Sequence, residues 1–210
     1  ADDLGQRLTP VVKAFLTDEG FAGANEGLQV LGGSGFTEDW GIEQLVRDCR
    51  ITRIYEGTNG IQALDLVGRK LALGGGRAVR GFFALVEGWL KANPEAPHAA
   101  AVGKALKQLQ QATLWIASEG MKDPEQAGAA SVPYLRLFAL TTLAWLWSRM
   151  AQTAQAALQG GSSETVFYGA KLKSADFYMA RVLTETDSLL AEVLAGKTTL
   201  MAFSEEEFAA

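Results

Sequence analysis

The stretch SETVFYGAKLKSADFYMARVLTETDSLLAEVLA, residues 163–195, decides the architecture. Tyr168, Leu172, Ala175, Met179, Val182, Thr186, Leu189 and Val193 recur at alternating spacings of four and three, while Lys171, Lys173, Asp176, Arg181, Glu185 and Glu192 fall off that stripe. This is the helical period with one buried face, so the segment must pack against other helices. Working back from it, 125–158 is apolar nearly all round at its centre (Leu143, Ala144, Trp145, Leu146, Trp147) and reads as a core or interface helix. Phe138, Trp145 and Trp147 are its candidate core or contact patch. Two further helices are expected over 98–121 and 77–92. The connections at Asn93-Pro94, Asp123-Pro124 and Gly160-Gly161-Ser162-Ser163 are short, which favours antiparallel neighbours.

Ahead of Gly74-Gly75-Gly76, the expected boundary, three more helices are read. The first opens at Pro10, a good first-turn residue, and stops near Leu31 at Gly32-Gly33-Ser34-Gly35. The second covers 39–50, with Glu43 and Arg47 in the favourable i,i+4 order. The third starts at Asn59, which with Gln62 makes a capping-box-like pair. Strand signals and fixed-period repeats are absent from the sequence. The expected fold is all-α: an antiparallel helical bundle over 1–75, then a second helical bundle over 76–210.

The 210 residues are 48% hydrophobic and 20% charged, with 19 Lys and Arg against 24 Asp and Glu, an ordinary globular composition. No basic block is present, which argues against a nucleic-acid surface. The single cysteine, Cys49, excludes an internal disulfide and fits the reducing cytoplasm; it reads as a buried small hydrophobe. The apolar run Leu137–Trp147, between Arg136 and Arg149, is shorter than the roughly 20 residues a membrane span needs. Helix 163–195 mixes both charge signs and the tail carries Glu205-Glu206-Glu207, so membrane binding is not expected. The chain opens on Ala1-Asp2-Asp3 with no initiating Met, as expected of a processed start or of a piece of a longer polypeptide.

Few segments can carry chemistry. Leu31-Gly32-Gly33-Ser34-Gly35-Phe36 fails the dinucleotide fingerprint, because it follows a helix and Glu38 stands where a third glycine belongs. Taken alone it is a helix stop or a ligand loop. His98, the only histidine, reads as a solvated loop residue, and no zinc or Cys/His constellation exists. There remains Ile54-Tyr55-Glu56-Gly57-Thr58-Asn59-Gly60-Ile61-Gln62. Glu56 is either a partner for the following helix dipole or a general base, with Gly57 admitting a substrate to the backbone and Tyr55 excluding water. Spacing does not decide between them.

Three stretches in order do: Gln29-Val30-Leu31-Gly32-Gly33-Ser34-Gly35-Phe36, then Glu43 with Arg47-Asp48-Cys49-Arg50, then Ile54 through Gln62. Together they resemble the C-terminal helical domain of acyl-CoA dehydrogenases, closely over 25–75. Residues 76–210 are similar, more loosely, to the extra helical domain of the larger bacterial members, which include enzymes for methylthio-propanoyl and longer acyl thioesters.

The resemblance implies the dehydrogenation step of fatty-acid β-oxidation. Glu56 would be the base that removes the α-proton of an acyl-CoA, beside Gly57 and Tyr55 on the substrate side. Gln29, Val30, Leu31, Gly32 and Gly33 would contact the FAD of a partner subunit, and Thr58, Asn59 and Gly60 would make a second FAD contact. It further implies trans-2-enoyl-CoA as product, electron-transfer flavoprotein as acceptor, and a homodimer or dimer of dimers. Burial among apolar groups would raise the pKa of Glu56 toward the working pH.

The family's first helical domain and β-domain have no counterpart here. The chain is therefore expected to be the C-terminal part of a polypeptide twice as long or more, inactive alone and holding FAD weakly or not at all. A scaffold module that lost the chemistry and a flavin oxidase are the alternatives. The intact Glu56 and glycine-loop stretches weigh against the first.

Overall fold

A computed structural model describes residues 2–209, and among them every regular element is helical. Helix α1 (Asp2–Val30) is followed by 3-10 turns Gly32–Phe36 and Glu38–Trp40, α2 (Ile42–Thr52), and α3 (Asn59–Asp65), which runs on into a π-turn at Leu66–Lys70. A 3-10 turn at Leu73–Gly76 leads to α4 (Arg77–Ala92), α5 (Ala99–Lys122) and α6 (Pro124–Gln159). Then come α7 (Thr165–Phe177), a π-turn at Tyr178–Val182, α8 (Glu185–Ala195) and the short α9 (Glu205–Phe208).

Helix α6 is the axis of the molecule. Ala130, Ala139, Ala144, Ala151 and Ala154 are buried, so neighbours approach it closely on several sides. Tyr134, Leu137, Phe138 and Leu140 fill the space between. Successive residues of α6 meet progressively earlier residues of α5 and its leader: Tyr134 with Thr113, Thr141 with Ala105, Ser148 with Pro97, Gln152 with Asn93. These two helices are therefore antiparallel. The pairs Gln126–Lys197, Arg136–Glu185 and Leu140–Tyr178 show the same for α6 against the α7–α8 arm. Phe82 of α4 stacks on Phe138 at 4.8 Å and meets Trp145 edge-on at 6.5 Å. Phe138 and Trp145 are core, while Trp147 is half-buried and packs on Tyr178. By length and composition α6 is, among the described residues, the one helix able to cross a membrane; 61% of its apolar window is buried inside this structure, as in a core helix.

On the other side of α6 lie α1 and α3. Val11, Ala14, Phe15, Ala63, Leu66 and Val67 join the same continuous core as the downstream helices. Arg136 of α6 ties them electrically: its guanidinium contacts Glu19 of α1 at 2.7 Å and both carboxylate oxygens of Glu185 in α8, and it lies over the Phe15 ring. The Glu185 hydrogen bonds, with those of Glu19, hold Arg136 above its ordinary pKa and keep it charged.

Several local expectations need correction. Pro10 lies eight residues inside α1, not at its first turn. A proline there forfeits one backbone bond, and burial of Val11, Ala14 and Phe15 against the core outweighs it. Helix α2 begins at Ile42 because Gly41 turns left-handed (φ 66°); Glu43 and Arg47 do pair, at 2.9 Å. Asn59 does not cap α3, since Thr58 takes that position without a side-chain bond. His98 is no solvated loop residue: it is 24% exposed and its Nε2 lies 3.0 Å from Asp176 Oδ1 in α7. Cys49 is half-buried and unpaired with another cysteine. The helix stops after α1 and before α4 are glycine turns as read, with Gly32, Gly74, Gly75 and Gly76 all at positive φ.

Candidate active site

The connector between α2 and α3 carries Glu56. Helix α2 unwinds through two amides, of Ile54 and Tyr55, that share the Ile51 carbonyl. The backbone then turns through two successive left-handed residues, Glu56 (φ 58°) and Gly57 (φ 83°), and the Asn59 amide closes the loop on the Arg53 carbonyl at 3.2 Å. Glycine adopts this conformation freely. At Glu56 the Cβ is crowded, at a cost of about 1–2 kcal/mol. Among the described residues only Glu56 and His98 are non-glycine with positive φ. Such a conformation persists only where its surroundings over-determine it.

Helix α1 supplies much of that support. Lys13 Nζ donates to the Gly57 carbonyl at 2.8 Å and to Asn59 Oδ1 at 2.7 Å. The Asn59 amide lies within reach of Asp18 Oδ1 (2.9 Å), Thr17 Oγ1 (2.9 Å) and the Ala14 carbonyl (3.1 Å). Asp18 in turn accepts from Arg53 Nε at 2.5 Å, and the Arg53 guanidinium lies 5.2 Å from the Phe21 ring centre. From α3, Gln62 Nε2 donates to the Glu56 carbonyl at 3.0 Å. A Cβ on Gly57 would sit 2.7 Å from that same nitrogen, so the glycine also makes room for the bond.

The side chain of Glu56 is exposed, as are Gly57, Thr58 and Gly60, and Tyr55 is 46% exposed. The expected dry apolar pocket is therefore not formed by these residues alone. An unusual surface surrounds the connector in sequence. Val30, Phe36, Trp40, Leu45, Ile51, Ile54, Ile61 and Leu64 are all exposed, although residues of these types are normally core. Exposed apolar surface on this scale marks a face that another molecule or chain segment covers. Two surface clefts, of about 370 Å³ beside Asn93 and Gln152 and about 510 Å³ beside Lys104 and Gln111, lie elsewhere and include none of the site residues.

The residues expected to contact FAD fall into two groups. Gln29 to Gly33 are exposed at the end of α1. Thr58 to Gly60 sit opposite Thr17, twelve residues earlier on α1, which is about 18 Å along a helix axis. One chain thus offers two separate exposed contacts and no enclosure, an open wall and not a pocket. That fits a flavin nucleotide held between this wall and other protein. The Asn59 side chain is committed to α1, so only its backbone is left for a cofactor. Lys13, Thr17, Asp18 and Arg53 were not legible as site residues: no sequence spacing links Lys13 to Gly57, 44 positions away.

Two family models cover most of the chain. Residues 1–71 match the C-terminal domain of acyl-CoA dehydrogenase, and residues 82–204 match the model described as acetyl-CoA dehydrogenase C-terminal like. Among curated proteins, the 3-methylmercaptopropionyl-CoA dehydrogenase of Ruegeria pomeroyi is 38% identical over 194 residues, covering 88% of this chain and 32% of that protein. A broad-specificity linear acyl-CoA dehydrogenase of Mycobacterium tuberculosis is 32% identical over 188 residues, 84% of this chain and 31% of its own length. A butyryl-CoA dehydrogenase of Syntrophomonas wolfei is 26% identical over 215 residues, with 98% and 35% covered. The chain spans about a third of the length of these relatives.

Proposed function

This chain belongs to the acyl-CoA dehydrogenase family, and from that premise we propose that it supplies the catalytic base of an FAD-dependent acyl-CoA dehydrogenase. The carrying observation is Glu56 itself, a carboxylate held in a left-handed connector and fronted by exposed apolar side chains. The α-proton of a thioester is weakly acidic, so its removal needs a base that is positioned and dried. The Glu56 carboxylate takes that proton. Gly57 lets the thioester approach the backbone, and Tyr55 with Ile54 and Ile61 excludes water once the wall is covered. Thr58–Gly60, together with Gln29–Gly33 of a second subunit, would hold FAD, which would supply the acceptor for the β-hydride and so give a trans-2-enoyl-CoA.

The same proposal takes residues 1–75 and 76–210 as two units of a longer cytoplasmic polypeptide. That polypeptide works as a homodimer or dimer of dimers and passes electrons to electron-transfer flavoprotein. The relatives named above act on unbranched acyl groups by their names, so butyryl, methylthio-propanoyl and longer straight-chain thioesters are the substrates to try first.

The test uses the complete polypeptide loaded with FAD, mixed anaerobically with those acyl-CoAs while flavin absorbance is followed. Wild type is expected to bleach, and Glu56→Gln to bleach at least about 100-fold more slowly. Equal bleaching by both proteins would remove Glu56 from the mechanism. Rapid reoxidation by air would favour an oxidase, and a complete protein that takes up no FAD would return the chain to a scaffold.

A further inference from the structure

We infer that Lys13, with Asn59 and Gln62, is a positioning residue that holds Glu56 in its reactive orientation; this rests on the reading of Glu56 as the base. The left-handed turn that presents Glu56 is held on its downstream side at two successive peptide planes, the one carrying the Glu56 carbonyl, next to its Cα, and the one carrying the Gly57 carbonyl, one residue on. Each carbonyl takes a side-chain donor from a different helix, Gln62 of α3 for the first and Lys13 of α1 for the second. Lys13 is also bonded to Asn59 Oδ1, and the Asn59 amide reaches Asp18, which holds Arg53 at the start of the connector. The middle and both ends of the connector are thereby referenced to α1.

Docking of α3 on α1 does not need Lys13. The Asn59 amide reaches Thr17, Asp18 and the Ala14 carbonyl independently of it, and Ala63 is buried in the core. The bond from Lys13 to the Gly57 carbonyl therefore acts on the left-handed pair, not on the helix packing. Without it the pair is free to relax toward the ordinary right-handed or extended regions, swinging the carboxylate away. Small displacements of a catalytic group are costly in rate even when binding is intact.

The experiment compares Lys13→Met, which keeps the apolar stem, and Lys13→Arg, which keeps a donor, in the complete FAD-loaded polypeptide. The probe is the acyl-CoA that bleaches wild type fastest. Lys13→Met is expected to slow the limiting rate of flavin reduction about 10- to 100-fold, with the half-saturating substrate concentration changed by no more than about two-fold. Amide hydrogen exchange across residues 53–60 is expected to accelerate in Lys13→Met, with or without FAD. Lys13→Arg is expected to restore most of both properties.

A wild-type rate in Lys13→Met overturns the inference. So does a rate loss with unchanged exchange at 53–60, or one matched by an equal loss of acyl-CoA binding. If Lys13→Met does not fold, Gln62→Met, which removes the donor from the other side of the connector, is read by the same criteria. If Glu56→Gln bleaches like wild type, the base assignment fails, whatever Lys13 does.

Discussion

A hydroxyl pair in the core shows how much one atom decides. Tyr134 is fully buried with its phenol 2.8 Å from Thr113 Oγ1, and that hydroxyl already donates to the Leu109 carbonyl at 2.7 Å. The threonine has one proton to give, so Tyr134 is the donor. Burial pushes its pKa well above the ordinary phenol value and it stays protonated. The two deletions should therefore be unequal. Tyr134→Phe removes a donor and leaves Thr113 needing nothing, at about 0.5–1.5 kcal/mol, whereas Thr113→Val strands a buried phenol at about 1–3 kcal/mol. Urea unfolding of both variants checks the order; a smaller loss for Thr113→Val would contradict the donor assignment. The same one-atom logic limits what a sequence tells. Asn59 before an apolar run looks like a helix cap because caps are local. Its actual partners lie more than 40 positions away on α1, and only the folded chain brings them together.

At the scale of elements, helix identities and most helix ends were legible, because a 3.6-residue period and left-handed glycines are local signals. The interruptions were not. The stripe from Tyr168 to Val193 alternates steps of four and three, and its positions seven apart fall about 20° short of two full turns of a straight helix. The π-turn at Tyr178–Val182 puts an extra residue into the turn, so burial steps five positions, from Tyr178 to Leu183, while the stripe residues Met179 and Val182 are only half covered. Beyond α8, Lys197 closes the arm onto the start of α6, bonding Asp123 at 2.6 Å and Glu125 at 2.5 Å. Asp123 also caps α6 through the Glu125 amide. The Lys197 hydrogen bond, then the backbone bond, holds the Asp123 carboxyl below its usual range. A lowered folded-state pKa means the stabilisation is complete above the ordinary carboxylate value and disappears as pH falls through the lowered one. Lys197→Met raises the Asp123 value, so loss of helical circular dichroism on acidification is expected to begin at higher pH than in wild type. An unchanged acid transition would show that the contact contributes nothing to folding.

The whole molecule presents two contrasting sides. Around α6 the inward-facing apolar side chains form one sealed core, although Val132 of α6 and Phe167 and Phe177 of α7 are exposed, while along residues 30–64 many stand in water. The fold class was readable from periodicity. The candidate site was readable only from the resemblance of three short stretches, since a carboxylate between two helices is common and strain at Glu56 leaves no mark in composition. With a single wall and no enclosure, the 210-residue chain on its own is expected to lose FAD during gel filtration; elution with one equivalent bound would show that the wall suffices.

The continuity of the core across Gly74–Gly76 bears on how such a chain can be inherited. The two family models meet at that joint, which invites a picture of a downstream bundle added to or dropped from an older domain at will. Yet Val11, Phe15, Ala63 and Leu66 are roofed by the same cluster that contains Leu137 and Phe138, and Arg136 reaches back to Glu19. A lineage that discarded the downstream half would have to repaint the inner faces of α1 and α3 with polar residues or recruit a substitute roof. Removing either half leaves an apolar face of the other in water.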